Sequence, residues 1–83
     1  MDDPTILALL PAVDEQIASP ATPFVAAALE RLTKSDQIAP DEARYMIAFC
    51  LADEIERLGR SDTPFDLARY ETLLALLPTL PEG

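Results

Sequence analysis

Apolar side chains fall into four stretches along the chain, each at the spacing of one face of an α-helix and each opened or closed by proline. In the first, Ile6, Leu9, Leu10, Val13 and Ile17 share a face. Asp3 is the predicted N-cap, with Pro4 at the first helical position, where a missing N–H costs nothing. The stripe runs straight through Pro11. An internal proline costs about 3 kcal/mol, so either a kink or a break between two short helices that keep phase is expected there. Ser19-Pro20 closes the segment. Thr22 and Pro23 predict the next cap and start. Phe24, Val25, Ala28, Leu29 and Leu32 then form an apolar arc with Glu30 and Arg31 outside it, ending near Lys34.

A polar link, Ser35-Asp36-Gln37, leads to Pro40, the predicted first position of a third helix over roughly residues 40 to 58. Asp41 and Glu42 there complement the positive end of the helix dipole. Tyr45 through Ala52 is apolar on every side, which predicts a central helix buried all round. Gly59 is the predicted stop, with Arg57 favouring the negative dipole end. Thr63 and Pro64 predict the start of a last helix with a broad apolar face of Phe65, Leu67, Tyr70, Leu73, Leu74, Leu76 and Leu77. Pro78 stops it, and Leu80 is free to fold back.

No stretch alternates apolar and polar residues for long, and Ala, Leu, Glu and Arg dominate. The pattern predicts an all-α fold: a small compact bundle of four to five short helices with proline-marked boundaries, in one domain over residues 1–83. Two echoes run through it. Thr22-Pro23-Phe24 recurs as Thr63-Pro64-Phe65, and TILALLP from Thr5 to Pro11 recurs as TLLALLP from Thr72 to Pro78. They are either a duplicated surface or chance repetition in a biased composition; their differing offsets argue against a solenoid.

Composition narrows the function. With 83 residues, 49% of them hydrophobic, the chain is too apolar for a disordered acidic tail. A domain of this size buries only roughly 60 to 65% of its unfolded surface, so help from a partner or oligomer is in character. Fifteen acidic against six basic side chains give a net charge of -9. That charge disfavours nucleic acid and membrane surfaces and attracts a basic protein. No apolar run approaches the roughly 20 residues of a bilayer span, and Met1-Asp2-Asp3-Pro4 has no positive leader region, so a cytoplasmic protein is expected. Five arginines against one lysine, with abundant Ala, Leu and Pro, suit a GC-rich bacterial or phage genome.

Chemistry is sparse. Ser19, Ser35, Ser61 and Cys50 have no histidine base and no nucleophile-elbow motif, and Cys50 in an apolar helix reads as a core thiol with a raised pKa. A lone cysteine forms no internal disulfide, zinc-ligand spacing is missing, and two glycines make no phosphate loop. Neither enzyme activity nor a cofactor nor a metal is expected. Among Asp53, Glu54 and Glu56, the first two diverge by about 100° and do not converge on one ion. Arg57 suggests an ordinary surface pair. Glu54 projects onto the arc of Ala43, Met46, Ile47, Cys50, Leu51 and Leu58, so it is either exposed past the core or buried against an arginine such as Arg31 or Arg69. Exposure is the expectation, since an unpaired buried carboxylate is costly.

These readings point to a non-enzymatic protein–protein interaction module: an inhibitor, adaptor, immunity-type or chaperone-like protein with an acidic surface around an apolar patch. Leu7, Tyr45, Phe49 and Leu74 are the candidate apolar contacts, with Asp41, Glu42, Asp53 and Glu56 as the charged rim. One alternative is a structural homodimer or assembly subunit, and another is an acidic DNA mimic that inhibits a nucleic-acid-binding protein. A helix-turn-helix on residues 23–58 is disfavoured because its second helix is acidic. The plain alternative for the apolar contacts is that they fill a small core.

Overall fold

The computed structural model describes residues 3–34, 38–60 and 63–81. Within them lie five helical segments and no strand: α1 (Pro4–Leu7), α2 (Leu10–Ala18), α3 (Pro23–Thr33), α4 (Pro40–Arg60) and α5 (Leu67–Leu76). The link Ser35-Asp36-Gln37, Ser61 and Gly83 lie outside the described residues.

Pro11 breaks the first helix, as its missing donor requires. The break falls one turn upstream, at Ala8 and Leu9, so that Pro11 sits in the first turn of α2, where no N–H is needed. Asp3 caps α1 by accepting from the Thr5 N–H at 2.9 Å. Thr22 does not cap α3 with its side chain. Its hydroxyl instead donates to the Gln16 carbonyl at 2.8 Å, tying the turn back to α2.

α4 is the central element and packs against all four others. Its 21 residues span about 31 Å at 1.5 Å per residue, most of the 40 Å longest extent. It runs through Gly59 to Arg60 rather than stopping at the glycine, because nothing there demands a left-handed turn. Ala43, Ile47, Ala48, Cys50 and Leu51 are buried, but Tyr45, Met46, Phe49 and Ala52 are only half-buried, so the helix is not covered all round. The remaining core comes from Ile6, Val13, Val25, Ala28, Leu32, Tyr70, Leu74 and Leu77.

The last helix begins at Leu67, not at Thr63-Pro64, because Asp66 supplies the N-cap by accepting from the Arg69 N–H at 3.0 Å. This start narrows the apolar face. Tyr70, Leu74 and Leu77, at i, i+4 and i+7, face the core, whereas Leu67 and Leu76 are exposed. Leu74, at 2% exposure, is thus a core residue and no candidate contact. Leu80 is 39% exposed.

Tyr70 sits where the helices meet. Its ring takes edge contacts from Phe24 and Phe65, with centroids 5.9 and 5.8 Å away, and its hydroxyl donates to Gln16 Oε1 at 2.7 Å. The Thr-Pro-Phe echo therefore ends on one ring, although only its first copy starts a helix. The longer echo differs where it packs: Leu7 is exposed where Leu74 is buried, and Ala8-Leu9 break a helix where Ala75-Leu76 continue one.

The Tyr70 hydrogen bond should carry a measurable share of stability. Tyr70→Phe is expected to lower the unfolding free energy by about 1 kcal/mol in the native background and by much less in Gln16→Ala. Equal losses in both backgrounds, measured by urea unfolding, would show that the bond contributes nothing.

Candidate interaction groove

Incomplete cover of α4 leaves a groove of about 450 Å3 between α1 and the outer side of α4. Ile6 and Leu9 line one side, Phe49, Ala52 and Ile55 the other, with Asp3, Asp53 and Glu56 among the bordering residues. No basic side chain among the described residues lines it.

The groove exists because α1 is a single turn. Such a short helix covers little, and what it buries is Ile6, at 6% exposure. Phe49 and Ala52 lie one turn apart on α4, and Ile55 stands at the edge with 43% of its surface exposed.

The groove brings together three of the residues picked from sequence: Phe49, Asp53 and Glu56. Leu7, on α1, is 40% exposed but does not line the groove. Asp41, Glu42 and Tyr45 lie toward the opposite end of α4. From Asp41 to Glu56 is about 22 Å along the helix axis, so they form no common rim with it. Ile55, Ile6 and Leu9 are groove residues that sequence reasoning missed as contacts. An isoleucine between Glu54 and Glu56, in an otherwise polar turn, was the signal for the first of them.

The far edge of the groove is built on an ion network. Contrary to the sequence expectation, Glu54 is fully buried. Its carboxylate accepts from Arg57 Nε at 2.9 Å and from Arg57 Nη2, from Arg69 Nη1 at 2.7 Å, and from the Asp66 N–H at 2.9 Å. With both oxygens occupied by charged or backbone donors, burial becomes affordable, which is why exposure was not needed. Arg57 also donates to Thr63 Oγ1 at 2.6 Å and to the Pro64 carbonyl at 3.1 Å, fixing the segment that leads into α5.

Arg69 reaches on to Asp53 Oδ2 at 2.6 Å. Asp53 is therefore less a free rim charge than a partner of Arg69, its side chain only 9% exposed. Glu56 is the more open one: its side chain is 64% exposed, and Arg60 approaches it only at 3.9 Å. Of the arginines proposed for Glu54, Arg69 binds it, whereas Arg31 donates to the Leu74 and Leu77 carbonyls, both at 2.9 Å, at the C-terminal end of α5. Arg44 forms a two-pronged pair with Asp14, at 2.8 and 2.7 Å, that joins α4 to α2.

Cys50 is buried, and desolvation, reinforced by Asp53, pushes its thiol up to about 12. Among the described residues, no group of three or more His, Cys, Asp or Glu side chains is arranged to hold a metal ion. No described helix is long and apolar enough to cross a membrane. No family model, curated protein or solved structure matches the chain.

The network makes a pH prediction. Hydrogen bonds from Arg57, above all, hold the Glu54 carboxyl down from its ordinary 4.5 to about 2, against the opposing effect of burial. A lowered folded-state pKa gives stability that is present above the unfolded value. It is lost as pH falls from about 4.5 through about 2. Glu54→Gln should flatten that part of the profile and cost about 3 kcal/mol at neutral pH, because Arg57 loses its counter-charge and Arg69 keeps only Asp53. Coincident acid profiles for wild type and variant would refute the assignment. In the same samples Cys50 should stay unreactive toward thiol reagents at pH 8 until the protein is unfolded.

Proposed function

We propose that this chain is a non-enzymatic protein-interaction module that binds a basic protein partner through the α1–α4 groove. The observation that carries the reading is a groove with an apolar lining, acidic side chains at its border and no cation among the described residues that line it. A surface of that kind gains from removing Ile55 and Phe49 from water and from complementing Glu56 with a partner cation. Among the protein's own cations, Arg60 approaches Glu56 only at 3.9 Å and leaves its side chain 64% exposed. Arg31, Arg44 and Arg69 are engaged in contacts that hold helices to one another, and Arg57 is taken up by Glu54 and the segment ahead of α5. The net charge of -9 steers a basic partner toward the chain.

Within this reading the protein acts by occupying or bridging a partner, as an inhibitor, adaptor, immunity-type or chaperone-like protein does. A cytoplasmic setting in a bacterial or phage system is part of the same proposal. A DNA mimic is less well supported, since Asp53 and Glu54 are already paired with arginines and Asp41 and Glu42 lie far from Glu56.

Affinity capture from a lysate of the source cell, with a C-terminally tagged chain, tests the proposal. A protein that survives nuclease treatment should be retained by wild type and by Leu67→Asp. It should be reduced at least about tenfold by Ile55→Asp and by Glu56→Lys. All three substitutions fall on exposed helix positions, where changes in stability are small. Equal recovery on every variant, or recovery of nucleic acid alone, overturns the proposal.

A further inference from the structure

Resting on that reading, we infer that the groove accepts an amphipathic basic helix of the partner, contacting it over about two turns. Three observations lead there. The α4 side of the groove extends from Phe49 to Glu56, eight residues, or about 10 Å along the axis. That length matches apolar anchors at i, i+3 or i+4, and i+7 of a docked helix.

The second observation concerns hydrogen bonding. The α4 wall lies inside a continuous helix, whose N–H and C=O groups are turned into its own ladder, and the described residues contain no strand edge. An extended segment would find no backbone partners along that wall and would press its own peptide groups against Ile6, Phe49 and Ile55. A helix satisfies its backbone internally and presents only side chains. Helix-in-groove packing is thus favoured over strand addition.

The third is charge. Glu56 stands beside the apolar side chains with its carboxylate largely open to solvent, and Asp3 borders the groove from α1. A helix that lays leucine-like anchors on Phe49 and Ile55 brings its flanking positions against these carboxylates. Lysine or arginine fits there, and an acidic residue is repelled.

A synthetic amphipathic peptide of about 14 residues, leucine and lysine at helical spacing, serves as the probe against the full-length isotope-labelled chain. Two companions complete the set: the same peptide with glutamate for every lysine, and the same peptide with two central prolines. The basic helix should shift amide signals of residues 5–9 and 49–56, and Ile55→Asp should weaken it at least about tenfold. The proline peptide should bind at least about tenfold more weakly, and the glutamate peptide should not bind. Equal binding of the proline peptide overturns the helix inference while leaving the groove as a contact surface. Shifts confined to other surfaces, or indifference to Ile55→Asp, overturn both. If the chain alone self-associates at micromolar concentration and Ile55→Asp abolishes this, a second copy is the occupant and the inference falls.

Discussion

The buried carboxylate of Glu54 is the constraint on which the α4–α5 half of the molecule depends. A charge with no access to solvent demands opposite charge and hydrogen-bond donors for each oxygen. Here that demand recruits Arg57 from the next turn of α4, Arg69 from the first turn of α5, and the backbone of Asp66 between them. Meeting it decides the position of the chain after α4, the first residue of α5 and the rotation of α5 about its own axis. That rotation puts Tyr70, next to Arg69, between Phe24 and Phe65. At the other end of α5, Arg31 holds the last carbonyls. Salt bridges of this kind add less to net stability than their number suggests, because desolvation of the charges offsets much of their attraction.

The same arrangement explains the uneven covering of the core. α2, α3 and α5 are each about ten residues long and lie against α4. α1 is one turn long because Pro11 forces a new helix to start at Leu10. A chain of 83 residues has little left with which to complete the coat. The exposed apolar strip beside Phe49 follows from where the proline falls, and Asp53, held by Arg69, gives that strip one fixed edge.

Much of this was legible in the sequence. Prolines and apolar spacing gave the helix order, a kink or break near Pro11, the central role of α4 and the burial of Val13, Val25, Leu32 and Ile47. What failed had local causes. Thr63-Pro64 looks like Thr22-Pro23, but Asp66 is the stronger cap and draws the start of α5 to Leu67. Glu54 projects toward the core in any helical wheel, and its burial hinged on whether arginines 3 and 15 positions later could reach it. Spacing reveals the first of these and tertiary structure alone the second. Leu74 looked like surplus surface until the shorter helix placed it in line with Tyr70 and Leu77. For the groove, three residues were recognised, whereas Ile6 and Leu9 had been counted as core, since a wheel cannot tell a covered face from one that its neighbour is too short to cover.

Asp3 caps α1 and at the same time borders the groove. Whatever is fused ahead of this residue begins its path at the mouth of the groove. On the proposed reading, an arginine-rich purification handle placed there would bring cations to the carboxylates that border the groove. It would act as a tethered competitor at a high effective concentration. The choice of which end to tag is therefore a biochemical variable for this protein rather than a convenience of cloning.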